Sequence, residues 1–360
     1  MDVAGRLPRL VDRLGEAQVD AVVISHPTNL RYLTGFTGSS GLLFVAERSA
    51  VLVTDGRYTT QAGEQLAASG VDVEVVTAPA AAQGGQAREL AGGAARLGVE
   101  AAHVSWARQR TWSAEWFPGA ELVPTVGLVE DLRRLKDPGE IARLGQAATI
   151  ADDALAGVRD QLLDGPAEDE LARGLDFEMR RLGASGPSFE TIVAGGPNGA
   201  KPHHRPSARR IRPGEAVVVD FGALCDGYCS DMTRTLWVGE LADPQLRRAV
   251  EVVLAAQAAG VAVVRPGVAC TAVDQACREV IAEAGWADRF VHGTGHGVGL
   301  DIHEAPAVGV TSTDTLASGH VVTVEPGVYL PGVGGVRIED TVVVTEHGCR
   351  PLTTTPKDSP

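Results

Sequence analysis

Aromatic residues make up only 4% of the 360-residue chain, and it has just five cysteines and three methionines. The cysteines are odd in number and scattered, and none forms a Cys-x-x-Cys pair, which argues against a disulfide framework. Free thiols fit a reducing, cytoplasmic setting. A basic excess is also missing, since the formal net charge is −14. No nucleic-acid partner is expected, because phosphates call for a basic face. No apolar run approaches the ~20 residues needed to span a bilayer, so no membrane association is expected. The nearest, Val252 to Val264, is interrupted by Gln257 and Gly260. The N-terminus has an amphipathic helical pattern with mixed charges in place of a secretion signal. No GxGxxG follows a strand and no P-loop lysine occurs, so a nucleotide site has no support. No nucleophile elbow or Ser/His/Asp order competes for catalysis.

What is present suggests two domains, taking ~150 residues per domain as a guide. Up to about Thr125, strand-like and helical segments alternate. DAVVIS from Asp20, GLLFVA, AVLVTD, VDVEVVT and VEAAHVS read as strands. GRYTTQAGEQLAASG and the Ala/Gly-rich run to Leu97 read as helices. This alternation predicts a small α/β layer over residues 1–128. The stretch NLRYLTGFTGSSG is rich in turn glycines and reads equally as a binding loop or as structural turns. A strong helix start then appears, with Asp137 as N-cap, Pro138 at the first position and Glu140 completing a capping box. The helix is expected to run to about Leu163, with a second after Gly165-Pro166 to about Leu182. Residues 129–360 form the second predicted domain.

The stretch Val217 to Val238 reads as two β-branched runs joined by a polar turn at Cys225, Asp226 and Gly227. A hairpin folded near Asp226 sets Asp220 and Asp231 almost opposite each other, where like charges repel. Two facing acids call for something positive between them, for which a divalent metal pair is the economical answer; the alternative is that one acid caps a turn and the other is solvated. Cys225 and Cys229 flank the turn and read as packing residues.

A weak duplication strengthens the metal reading. Helical patterns over Pro244 to Val264 and Thr271 to Ala284 precede a second strand pair, VVTVEPGVYLPGVGGVRIEDTVVV. There Glu325-Pro-Gly matches Asp220-Phe-Gly, and Glu339-Asp-Thr matches Asp231-Met-Thr. Between the hairpins, VHGTGHGVGLDIHEAP holds His292, His296 and His303, and His296 is framed by glycines. The resulting set is Asp220, Asp231, His296, Glu325 and Glu339. Carboxylates with one imidazole suit hard or borderline cations such as Mn²⁺, Co²⁺ or Zn²⁺. Two ions fit if two carboxylates bridge, and such a pair activates water and polarises a carbonyl.

DFGALCDGYCSDMTRT, HGTGHGVGLDIHE, VEPGVY and GGVRIED, in that order, resemble the pita-bread metallopeptidases. The likeness is to the Xaa-Pro aminopeptidase and Xaa-Pro dipeptidase (prolidase) branch. It covers nearly the whole chain and includes the N-terminal NLRYLTGFTGSSG and DGRY. Creatinase shares the fold but lacks the full set of metal carboxylates. The resemblance implies an α+β pita-bread domain with duplicated α-α-β halves behind a smaller α/β domain. It implies two metal ions, Mn²⁺ foremost, with Asp220 on one, His296 and Glu325 on the other, and Asp231 and Glu339 bridging. Glu325 would also shuttle a proton to the leaving nitrogen, which a prolyl amide requires. His203 would stand near the substrate, His303 would hydrogen-bond its carbonyl, and His292 would line the proline side. Arg337 would orient a carboxylate of the site or of the substrate, and a homodimer is implied.

The leading expectation is release of the N-terminal residue ahead of proline from peptides, as an Xaa-Pro aminopeptidase. The FTGSSG…DGRY pattern favours that branch. A dipeptidase would need a cation beyond the proline pocket, for which Arg31, Arg57 and the Arg205–Arg212 cluster are candidates. That basic cluster otherwise reads as a solvated loop face. The other classes considered are a non-catalytic binding protein that kept the fold and a hydrolase of small guanidino or amide compounds.

Overall fold

Six runs rich in valine and leucine build the sheet of the first of two units, into which the chain divides between Arg133 and Arg134. The computed structural model describes residues 1–357. The strands are β1 (Ala21–Ile24), β2 (Gly41–Ala46), β3 (Ser49–Thr54), β4 (Glu74–Thr77), β5 (Arg96–Glu100) and β6 (Glu121–Thr125). They lie in the order β4-β3-β2-β1-β5-β6, with β2 antiparallel to both neighbours and the other pairs parallel. Val23, Phe44, Val53, Leu97 and Val99 pack with Trp112 and Phe117 as one core.

Two local expectations change here. The Ala/Gly-rich helix ends at Leu90 rather than Leu97, because Gly93 takes φ +107°, outside helical geometry. The strand expected over VEAAHVS starts earlier, at Arg96, and stops at Glu100. There the Glu100 carboxylate accepts from the Ser25 and His26 amides at 2.6 and 2.8 Å and from Asn29 Nδ2 at 2.7 Å. The first half of NLRYLTGFTGSSG is helical, within Pro27–Thr34, and Gly35 closes that helix at φ +77°.

The second unit opens on the helix Pro138–Val158, whose capping box is formed in both directions at 2.9 Å. The expected continuation to Leu163 is instead a 3₁₀ segment, Arg159–Asp164, followed by the helix Glu168–Arg181. The strands that follow are β7 (Gly186–Pro187), β8 (Ile192–Gly195), β9 (Ala216–Phe221), β10 (Ala223–Cys225), β11 (Tyr228–Cys229) and β12 (Met232–Trp237). A second helix pair, Pro244–Val263 and Cys270–Glu283, leads to β13 (Gly295–Gly297), β14 (Glu304–Val308), β15 (Val321–Val324) and β16 (Gly327–Leu330). The chain continues through β17 (Gly334–Arg337), β18 (Asp340–Val344) and β19 (Cys349–Pro351).

Each helix pair packs on its own strands. Leu155, Leu171 and Leu175 meet Val217, Val219, Phe221 and Met232 in one core. Val253, Val273 and Ile281 meet Val322, Val324, Val328 and Val342 in the other. Side chains alternate across a strand, so Val217, Val219 and Phe221 face the helices while Val218 and Asp220 turn to the opposite face. The helices thus cover the outside of each half, and the acids are left pointing inward. Among the described residues no helix is long and apolar enough to cross a membrane. Among the described residues no cysteine forms a disulfide, and four of the five, Cys225 and Cys229 included, are buried.

Candidate metal centre

The first hairpin turns through Asp226 and Gly227, both left-handed at φ +46° and +77°, so its loop has two residues. A fold near Asp226 is expected to set Asp220 and Asp231 almost opposite each other. The two-residue turn shifts the pairing, and Asp220 lies opposite Thr233. Asp231 then falls opposite Gly222, a diagonal neighbour of Asp220 on the same face and not its facing partner. The second half differs. Val324 pairs with Asp340 and Gly327 with Arg337, an unbroken register that sets Glu325 directly opposite Glu339.

The two halves are stitched through threonines two positions after each second acid. Thr233 Oγ1 donates to Glu339 Oε2 at 2.7 Å, and Thr341 Oγ1 donates to the Asp231 carbonyl at 2.8 Å. The acid-x-Thr repeat was the signal in the sequence for this exchange. Carboxylate oxygens of Asp220, Asp231 and Glu339 come within 4.8 Å of one another. His296 completes the set, with Nε2 at 3.5 Å from Asp231 Oδ2 and 3.4 Å from Glu325 Oε1. Its glycine frame is a matter of space: a Cβ at residue 295 would lie 2.1 Å from the Thr323 carbonyl oxygen. The structure therefore brings all five expected ligands to one place.

The electrostatics of the cluster call for cations. Ionised carboxylates within 4.8 Å of one another repel by at least about 3 kcal/mol per pair at an effective dielectric of ~20. Burial first, then the neighbouring acids, pushes the Asp231 and Glu339 carboxyls well above their ordinary range, and burial takes Glu325 up to about 8. Asp220 Oδ1 and Glu339 Oε1 are buried without a hydrogen-bond partner. His296 Nδ1 lies 3.0 Å from the Gly297 carbonyl oxygen, which can only accept, so the neutral ring carries its proton there. Its Nε2 lone pair then faces the acids, an arrangement that either a carboxyl proton or a positive ion between them satisfies. Two orphaned oxygens, a bare imidazole nitrogen and paired acids fit a divalent metal held by Asp220, Asp231, His296, Glu325 and Glu339.

One positive side chain is already in place. Arg337, 3% exposed, donates from Nη2 to Asp220 Oδ2 at 2.5 Å and from Nη1 to Tyr329 Oη at 2.8 Å. Tyr329, which the sequence did not single out, in turn donates to His292 Nε2 at 2.7 Å. His292 Nδ1 donates to the Gly293 carbonyl at 2.7 Å, and burial lowers this ring to about 4, so it is neutral. The cluster sits in a cavity of about 620 Å³ also lined by His203, His292, His303 and Arg205. The ring of His303 stands edge-on to His296, with centroids 4.3 Å apart. Two further acids missed in the sequence fix these loops. Asp274 accepts from the Thr294 amide and hydroxyl at 3.1 and 2.9 Å, and Glu304 pairs with the buried Lys136 at 3.0 Å.

Paired helices over inward-facing strands, with acids from both halves around one imidazole, define a metal-dependent hydrolase of the pita-bread fold. Residues 142–346 match metallopeptidase family M24, and residues 6–135 match the creatinase/prolidase N-terminal domain. The chain is 41% identical over 359 residues to YqhT, an uncharacterized peptidase of Bacillus subtilis, covering 98% of this chain and 99% of that protein. It superposes on a Xaa-Pro dipeptidase from Bacillus anthracis with a TM-score of 0.92 at 38% identity, covering 99% of each chain. For an X-Pro aminopeptidase from Thermotoga maritima the TM-score is 0.90 at 34% identity, covering 98% of this chain and 99% of that one. The chain belongs to metallopeptidase family M24, in its Xaa-Pro peptidase branch, and is an enzyme of that class.

Proposed function

We propose that this enzyme is an Xaa-Pro aminopeptidase, releasing the N-terminal residue from peptides with proline second, with two Mn²⁺ ions as the native cofactor. The observation that carries the reading is the buried cage of four carboxylates and one imidazole, with two partnerless oxygens, open to a cavity large enough for a short peptide. Asp220 would hold one ion and His296 and Glu325 the other, with Asp231 and Glu339 shared. When bound, such a pair supplies Lewis acidity toward water and the scissile carbonyl. Glu325, whose carboxyl is easily protonated, carries a proton from the attacking water to the prolyl nitrogen, without which a tertiary amide leaves poorly. His303 and His203 donate to the carbonyl oxygen as charge develops on it. Arg337 fixes the Asp220 carboxylate, and neutral His292 lines the proline side through its bond to Tyr329. Cysteines held outside disulfides support a cytoplasmic setting, and a homodimer completes the reading.

The choice of aminopeptidase rests on the FTGSSG…DGRY pattern, and the arginines of the cavity bear on the alternative. Arg337 is committed to Asp220 and Tyr329, and Arg205 lies 3.4 Å from Glu190. A dipeptidase needs a cation for the carboxylate of its product proline. Arg205 favours that second reading, because a pair this exposed is weak and yields readily to another carboxylate. The test compares Mn²⁺-loaded enzyme on an Xaa-Pro dipeptide and on the same sequence extended by one residue. Faster cleavage of the longer peptide supports the aminopeptidase, and faster cleavage of the shorter one replaces it with the dipeptidase. If both peptides survive after reloading with Mn²⁺ or Co²⁺, the Xaa-Pro reading fails altogether.

A further inference from the structure

His203 is exposed to the cavity, so its place is inherited from the loop that carries it. That loop leaves β8 at Gly195 and runs through Asn198, Pro202, His203, His204 and Ser207 before β9 begins. Both of its ends converge on one side chain outside the cage. Glu168, the first residue of the helix Glu168–Arg181, has no solvent exposure. Its Oε1 accepts from the Gly195 amide and from Asn198 Nδ2, each at 2.9 Å. Its Oε2 accepts from Ser207 Oγ at 2.6 Å, His204 Nε2 at 2.9 Å, the Ser207 amide at 3.1 Å and Asn198 Nδ2 at 3.2 Å. Those bonds outweigh burial and hold the carboxyl below its ordinary range, so the anion is the form the loop is built around.

The residues on either side of His203 are tied in two directions. His204 is pulled back onto Glu168, while the Pro202 carbonyl accepts from Arg337 Nη1 at 3.3 Å, on the cage side. A loop held at both ends and on both flanks leaves its one exposed histidine little freedom, which is what a group that must meet a developing charge requires. We propose that Glu168 is a positioning residue, whose carboxylate sets the Gly195–Ser207 loop and through it aims His203 at the reacting carbonyl. The adjacent His204 is then a strut of the loop and takes no part in the chemistry.

The proposal rests on the reading of His203 as a group of the reacting centre, and a double-mutant cycle separates the two. Glu168→Gln keeps the shape but turns an amide N–H₂ toward donors that need an acceptor. It is expected to lower kcat by about tenfold to a hundredfold, the range a misplacement of about 1 Å produces. Metal bound per chain stays at the wild-type level. In the His203→Ala background the same change has no further effect on kcat, because nothing remains to be aimed. Ser207→Ala, which removes the 2.6 Å bond to Glu168 and the weaker 3.3 Å bond that the hydroxyl accepts from the Arg209 amide, gives the same pattern with a smaller loss and decides the matter if Glu168→Gln does not fold. The proposal is overturned by unchanged kcat in the single variants, by equal losses with and without His203, or by metal content falling in step with kcat. His203→Ala with wild-type kcat would instead overturn the reading of His203, and with it any need for aiming.

Discussion

The metal-free enzyme should lose stability as pH rises from 6.5 to 8, and the metal-loaded enzyme should not. Glu325 is raised by burial from an ordinary value of 4.5 to about 8, so in this window the folded state holds a proton that the unfolded chain has already released. A raised carboxyl stabilises fully below its unfolded pKa and loses that contribution progressively up to the folded one. At ~1.36 kcal/mol per pH unit, Glu325 alone removes about 2 kcal/mol between pH 6.5 and 8. Asp231 and Glu339 are shifted in the same direction and add to the loss. Buried histidines act oppositely but lower down: His292, His296 and His320 fall from 6.5 to about 4, and their penalty is confined to pH below about 6.5. Cys270 and Cys277, raised by burial to about 11 and 12 from 9, enter only above the window. Metal binding competes with these protons, so loaded carboxylates have none to lose. Urea unfolding of chelated and Mn²⁺-loaded protein at half-unit pH steps is the assay. A flat or rising metal-free profile between pH 6.5 and 8 would refute the view of the cage as an unneutralised acid cluster.

Asp231→Ala or Glu339→Ala should abolish activity and lower metal stoichiometry measured by elemental analysis, and normal turnover after either change would sink the shared-ligand assignment. Thr233→Val removes the 2.7 Å bond that orients Glu339, and metal affinity is expected to fall about 10- to 100-fold in a competition titration with a chromophoric chelator. Lys136→Met strands the buried Glu304 carboxylate and should cost about 3–5 kcal/mol in urea unfolding. The Lys136→Met/Glu304→Gln double variant should recover most of that loss, and an equally destabilised double variant would show that the penalty is not one of unpaired charge.

Much of this site was legible because its chemistry is written as repeated local patterns. Acid-x-Thr appears twice at the same place relative to a helix pair, and glycine flanks His296 where a strand must pass close to Thr323. Capping of the helix at Asp137 was equally plain, since its signal lies within four residues. Register was less accessible. Whether Asp220 faces Met232 or Thr233 depends on a turn of two residues against three, a difference set by the backbone of Asp226 and Gly227. The strand at Arg96 was misplaced because VEAAHVS is apolar enough to pair, while the partner that ends it, the Ser25–Asn29 segment on Glu100, lies some seventy residues earlier. Tyr329 escaped notice for a similar reason: its role exists only where His292 and Arg337 converge on one hydroxyl.

The acids of this unit divide by what surrounds them, and the division bears on how the enzyme can vary. Those of the cage face one another, retain partnerless oxygens and are raised in pKa, so they are unstable company until a cation arrives. Glu168, Asp274 and Glu304 are also buried or nearly so, yet each is met by amides, hydroxyls or a cation and needs nothing further. On the proposed reading the first group binds, while the second holds the loops that carry His203, the His292–His296 segment and His303. Changes in the first group should register as lost metal. Changes in the second should leave the metal in place and register as slower turnover, because a misaimed histidine weakens the transition state without altering the ions beneath it. The ratio of metal content to kcat across such variants therefore tests the division residue by residue.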